Sequence, residues 1–73
     1  MDMNHAVALA VRRRMLVTGD TYRSLSQKAR IPERSLARIL KPERDINVNR
    51  LRQIAEALKT TPEDLISDAS RLL

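Results

Sequence analysis

Apolar residues along the chain recur at intervals of three and four, in segments separated by short polar breaks, which is the period of amphipathic helices. In the first segment Val7, Ala10, Val11 and Met15 fall on one face, and the pattern predicts a helix over about residues 4–17. Asn4 is its candidate cap, and Thr18-Gly19-Asp20 closes it. The second segment opens at Thr21, whose hydroxyl suits an N-cap, and sets Leu25 and Ala29 four apart on a shared face. Ile31-Pro32 then interrupts it, because proline lacks an N–H and pushes the preceding residue towards extended angles. Pro32 also suits the first turn of a new helix, predicted over residues 32–41. At about 100° per residue, Leu36, Ile39 and Leu40 occupy one arc of that helix. Glu33, Arg34, Ala37, Arg38 and Lys41 occupy the other.

The remaining chain follows the same logic. A loop broken at Pro42 leads to Asn47, a candidate cap for a helix with Val48, Leu51, Ile54, Ala55 and Leu58 as its apolar stripe. Thr61-Pro62-Glu63-Asp64 then supplies a capping hydroxyl, a first-position proline and acids near the positive end of the dipole. Leu65, Ile66, Ala69, Leu72 and Leu73 line one side of the helix it starts. The surplus of that stripe, Ile66, Leu72 and Leu73, has two readings: it completes the core against the first helix, or it forms a symmetric dimer contact.

Composition sharpens the fold class to all-α. With Tyr22 as the sole aromatic residue, the core must be built from Leu, Ile, Val, Ala and Met, and no alternating β-branched runs are present. Residues 1–73 are expected to form a single domain near the lower size limit for an unaided core. No separate ligand-sensing or self-cleaving domain is expected beside it. No cysteine is available for a disulfide or a thiolate metal site, and His5 is the sole histidine, so neither a metal nor a cofactor is expected. Ser24, Ser26 and His5 are scattered rather than arranged as a nucleophile with its base, which argues against an enzyme. No apolar stretch approaches the roughly 20 residues that span a bilayer, and the N-terminal arginines follow rather than precede the short apolar run, unlike a secretory signal. A cytoplasmic protein is expected.

Charge changes the picture further. Residues 12–44 carry ten Lys/Arg against three acids, whereas residues 45–73 carry four against five. A basic front half on a net +5 chain points to a polyanion-facing surface. Near-absence of aromatic side chains for base stacking disfavours single-stranded targets and leaves double-stranded DNA. Arg23, Lys28, Lys41 and Arg44 are candidate phosphate contacts, although solvated cations look the same in sequence. Lys41 has a further role open to it at the helix C-terminus. Arg12-Arg13-Arg14 cannot all face one way, so at most one or two of them reach phosphate.

The stretch TYRSLSQKARIPERSLARILK resembles the helix-turn-helix of the Cro and phage-repressor family. The family's apolar position falls at Leu25, its small one at Ser26, its aliphatic after the turn at Ile31, and two further apolar ones at Leu36 and Ile39. LRQIAEALKTTPEDL resembles the family's fourth helix and the start of its fifth, so the likeness runs from about Val11 to Ile66. It implies a compact five-helix, lambda-repressor-like DNA-binding domain. Two positions depart from the family: Arg30 stands where a left-handed glycine is usual, at a cost on the order of 1 kcal/mol, and Tyr22 stands where glutamine is favoured.

By family position the resemblance implies that Glu33, Arg34 and Arg38 meet base edges, with Tyr22 and Asn47 on phosphate. Glu33 has a rival reading as a first-turn acid or an arginine partner, Asn49 shares the phosphate role that family position implies for Asn47, and plain capping is the more economical account of Asn47. A Cro-like phage repressor in a bacterial host, acting by operator occupancy without a small-molecule ligand, is the expected function. Two copies are expected on half-sites about 34 Å apart, as a homodimer that can form on the DNA itself. Two other classes compete: an antitoxin-type protein-interaction module, and an architectural or recombination-directing factor.

Overall fold

The computed structural model describes residues 2–41 and 46–73. Five helices and no strands occur among the described residues: α1 (Met3–Thr18), α2 (Tyr22–Ala29), α3 (Glu33–Ile39), α4 (Val48–Ala57) and α5 (Pro62–Leu72). α1 packs along α5, α2 packs against both α3 and α4, and α4 also reaches α5. One core lies between them, with Val11, Leu25, Ile31, Leu36, Leu40, Ile54, Leu58 and Leu65 as its largest fully buried side chains. Each such aliphatic contributes roughly 1.5–3 kcal/mol by leaving water, and every element places at least one of them or a buried alanine in the cluster. Such a small domain holds together because no helix keeps its apolar stripe to itself.

Helix ends follow the expected chemistry with local corrections. α1 is capped by Asp2 rather than Asn4: the Asp2 carboxylate accepts from the His5 N–H at 2.8 Å, which puts Asn4 inside the first turn. Gly19 ends α1 at φ 75°, the left-handed conformation that glycine adopts without strain. Thr21 caps α2 through a reciprocal pair, its hydroxyl accepting from Ser24 N–H while Ser24 Oγ accepts from Thr21 N–H. Thr61 accepts from Asp64 N–H at 3.1 Å to start α5, with Pro62 in the first turn as expected.

Pro32 is the N-cap of α3 rather than its first helical residue, at ψ 140°. Its carbonyl takes the first intrahelical bond, from Leu36 N–H at 2.9 Å. α3 ends at Ile39, so Lys41 lies just beyond the helix rather than in its last turn. Val48 departs from the α4 stripe and is 77% exposed. As the first helical residue it lies at the end of the element, past the point where Leu51, Ile54 and Ala55 meet the core.

Arg30 adopts the left-handed conformation expected of a glycine there, at φ 58° and ψ 41°. The turn tolerates it because Ser26 stitches it from below. The Ser26 carbonyl accepts the Arg30 and Ile31 N–H groups, and its hydroxyl donates to the Ile31 carbonyl. Lys59, after α4, is a second non-glycine in this region, at φ 57°.

Candidate nucleic-acid interface

α3 has two contrasting faces. Leu36 and Leu40 are fully buried and Ile39 packs against the core, which fixes the rotation of the helix about its axis. That rotation leaves Glu33, Arg34 and Arg38 exposed on the outer surface, with Ala37 half-buried between them. Arg34 and Arg38 are four residues apart and share a face about 6 Å along the axis. No described residue accepts a hydrogen bond from either guanidinium or pairs with it. Glu33 sits in the first turn of α3, where its charge suits the dipole, and no arginine among the described residues pairs with it.

Around α3 the other predicted contacts take varied positions. Tyr22 opens α2 with its ring half-buried against the core. Its oxygen accepts from Arg12 Nε at 3.3 Å, so its own proton is left for another acceptor. Arg23 is exposed and bonded to no described residue. Lys41 is exposed immediately after the α3 C-cap. Asn47 caps α4, its side-chain oxygen accepting from the N–H groups of Asn49 at 2.8 Å and Arg50 at 3.4 Å. Capping therefore engages the oxygen and leaves the amide N–H donors outside that contact. Arg44 lies outside the described residues.

Lys28 has an internal partner. Its Nζ meets Asp20 Oδ1 at 2.8 Å, and the Asp20 side chain is only 3% exposed. Ser24 and Thr18 hydroxyls also donate to that carboxylate, each at 2.6 Å. Hydrogen bonds from Lys28, Ser24 and Thr18 together hold the Asp20 carboxyl far below the usual carboxylate range. Asp20 thus pins the start of α2 to the end of α1, a role that sequence reasoning missed. Its signal was present as an acid directly before the Thr21 capping box.

The arginine run on α1 separates into three destinations. Arg12 turns towards α2 and α3, donating to Tyr22 Oη and, through Nη2, to the Leu40 carbonyl at 3.2 Å. Arg14 turns to the end of α4, donating to the Leu58 and Lys59 carbonyls, both at 3.0 Å. Arg13 makes no such bond to a described residue and lines, with Arg14, Val17, Asp68, Arg71 and Leu72, a shallow groove between α1 and α5. Nothing in the local sequence distinguishes these three fates.

A helix whose leucines are sealed in the core and whose arginines project outward, unbonded to any described residue, preceded by a second helix and a three-residue turn, is a helix-turn-helix arrangement. A family model described as the Cro/C1-type HTH DNA-binding domain matches residues 11–69. The chain belongs to that family. The match covers α2, α3 and α4 whole, so the Cro/C1-type motif is carried by the elements that the apolar pattern predicted. The crystal structure of the clp gene regulator ClgR from C. glutamicum is similar in fold, with a TM-score of 0.89 at 19% sequence identity. That likeness covers 100% of this chain and 95% of that one. A search of curated proteins finds no significant match. Among the described residues no helix is long and apolar enough to cross a membrane, and no acidic, His or Cys cluster is arranged to hold a metal.

Proposed function

We infer that this Cro/C1-type domain is a sequence-specific regulator of transcription on double-stranded DNA, acting as a Cro-like phage repressor that blocks an operator by occupying it in a bacterial cytoplasm. One observation carries the reading: Arg34 and Arg38 stand exposed and unbonded to any described residue on the face of α3 opposite its sealed leucines. α3 lies in the major groove. Each of the two arginines can offer paired donors to guanine O6 and N7, and Glu33 can accept from cytosine N4, each good pair being worth about 1–3 kcal/mol of discrimination. Tyr22, Arg23, Lys41 and the Asn47 amide fix the register on phosphate, with Arg44 in the same role and Lys28 secondary to its pairing with Asp20. That the structural neighbour ClgR is a clp gene regulator supports regulation as the output.

A small reading head binds few base pairs, so two copies act on one operator, at half-sites about 34 Å apart. Ile66 on α5 and Leu73 just after it, 42% and 59% exposed, with Leu72 half-buried beside the core, supply the dimer contact. The same exposed residues, with Leu16 and Val17 on α1, favour a second reading in which a protein partner docks there, as in an antitoxin.

Selection of bound duplexes from a random pool tests the proposal. A two-fold symmetric consensus that the Arg34→Ala/Arg38→Ala protein no longer enriches supports it. Enrichment of no sequence defeats it, and partner capture that survives the double substitution transfers support to the docking reading.

A further inference from the structure

Arg12 lies on α1, outside the helix-turn-helix, yet its guanidinium bridges the two ends of that unit. Nε donates to Tyr22 Oη at the first residue of α2, and Nη2 donates to the carbonyl of Leu40 at the α3 C-cap. The Leu40 carbonyl belongs to the group of terminal carbonyls that a helix leaves without an internal partner. A charged donor there satisfies it and sets a positive charge against the negative end of the α3 dipole. The Tyr22 oxygen, by accepting from Arg12, directs its own proton away from that bond. Both acceptors are met by one planar fork, a geometry that the single ammonium of lysine does not reproduce.

We propose that Arg12 is a positioning residue for base recognition: it holds the C-terminal end of α3 at a fixed angle to α2 and aims the Tyr22 hydroxyl at the DNA backbone. α1 thereby sets specificity without touching a base. The inference rests on the proposal that α3 enters the major groove. It competes with a simpler role, in which the exposed Arg12 itself neutralises a phosphate.

The two roles differ in what they move. A phosphate contact acts alike on all sequences and changes the salt dependence by about 0.9 per charge, whereas a lost orientation acts on discrimination. The experiment measures binding of Arg12→Met and Arg12→Lys to a selected duplex and to random duplex across a salt series, with circular-dichroism melting to establish the folded fraction. Both variants are expected to lose about tenfold in the ratio of specific to random affinity, part of the value of one good base contact, with the salt slope on random DNA unchanged. Simple destabilisation lowers both affinities together and leaves the ratio intact, so an intact ratio in both variants overturns the inference. Restoration of the ratio by lysine, or a slope reduced by about one with the ratio kept in the methionine variant, also overturns it by making Arg12 a phosphate ligand. If the methionine variant does not fold, the lysine variant decides alone. Absence of any sequence preference in the unsubstituted protein is a separate result, which removes the groove-binding proposal and this inference with it.

Discussion

Arg12 and Arg14 on α1 and Arg34 and Arg38 on α3 are the same side chain in two settings. Those on α1 end on backbone carbonyls at the C-termini of α3 and α4, groups that a helix cannot satisfy alone. Those on α3 are bonded to no described residue, because their helix turns its leucine face to the core and leaves them on the outer side. Among the described residues, position relative to other helix ends, rather than residue type or local charge density, therefore separates the arginines bonded to backbone carbonyls from those that are not. A count of positive charge treats the two groups alike, although one is bonded to helix ends and the other is bonded to no described residue.

The sharpest way to break this comparison is to exchange the two groups by mutation. Arg34→Ala/Arg38→Ala should cost about 2–6 kcal/mol on a selected duplex, two base contacts at 1–3 kcal/mol each, while the melting temperature stays within a few degrees. Arg14→Ala should do the reverse: a stability loss of about 1–3 kcal/mol, chiefly the worth of a bond from a charged donor to the part-buried Leu58 carbonyl, with the ratio of specific to random affinity unchanged. Denaturant titration read beside competition binding checks both, and a loss of specificity in Arg14→Ala with unaltered stability would merge the two groups.

A smaller effect is expected at the joint between α1 and α2. The Asp20 carboxyl is depressed in the folded state, so its stabilisation is present above the ordinary aspartate value near 3.9 and is lost as the pH falls below it. Asp20→Asn should melt below the unsubstituted protein at pH 7, and the gap should narrow as the pH drops under about 4. A gap that is constant from pH 7 to pH 3 would mean that the ionised carboxylate is not what matters. Smallest of all, Arg30→Gly should raise stability by under about 1 kcal/mol, since relief of the left-handed strain is partly offset by the extra freedom of the unfolded chain.

How much of this was legible in the sequence follows the range of each interaction. Thr21, Thr61 and Asn47 act on N–H groups two or three residues ahead, and all three caps are where the pattern expects them. The rotation of α3, and with it the exposure of Arg34 and Arg38, follows from the spacing of Leu36 and Leu40 alone. Arg12 and Arg14 were illegible because their acceptors lie 28 and 44 residues away. Asn4 and Asp2 are both capable caps, and only the position of the first turn chooses between them. Val48 matches the apolar stripe on a helical wheel, which describes angle but not where along the axis a neighbouring helix ends.

The most direct test of an α3 that reads bases through its exposed arginines is the base preference of Arg38→Ala, position by position, on a selected operator. Preference should relax at one position in each half-site and persist at the others, with the fold unchanged by circular dichroism. Preference kept at every position, with affinity falling equally on operator and random duplex, would contradict it.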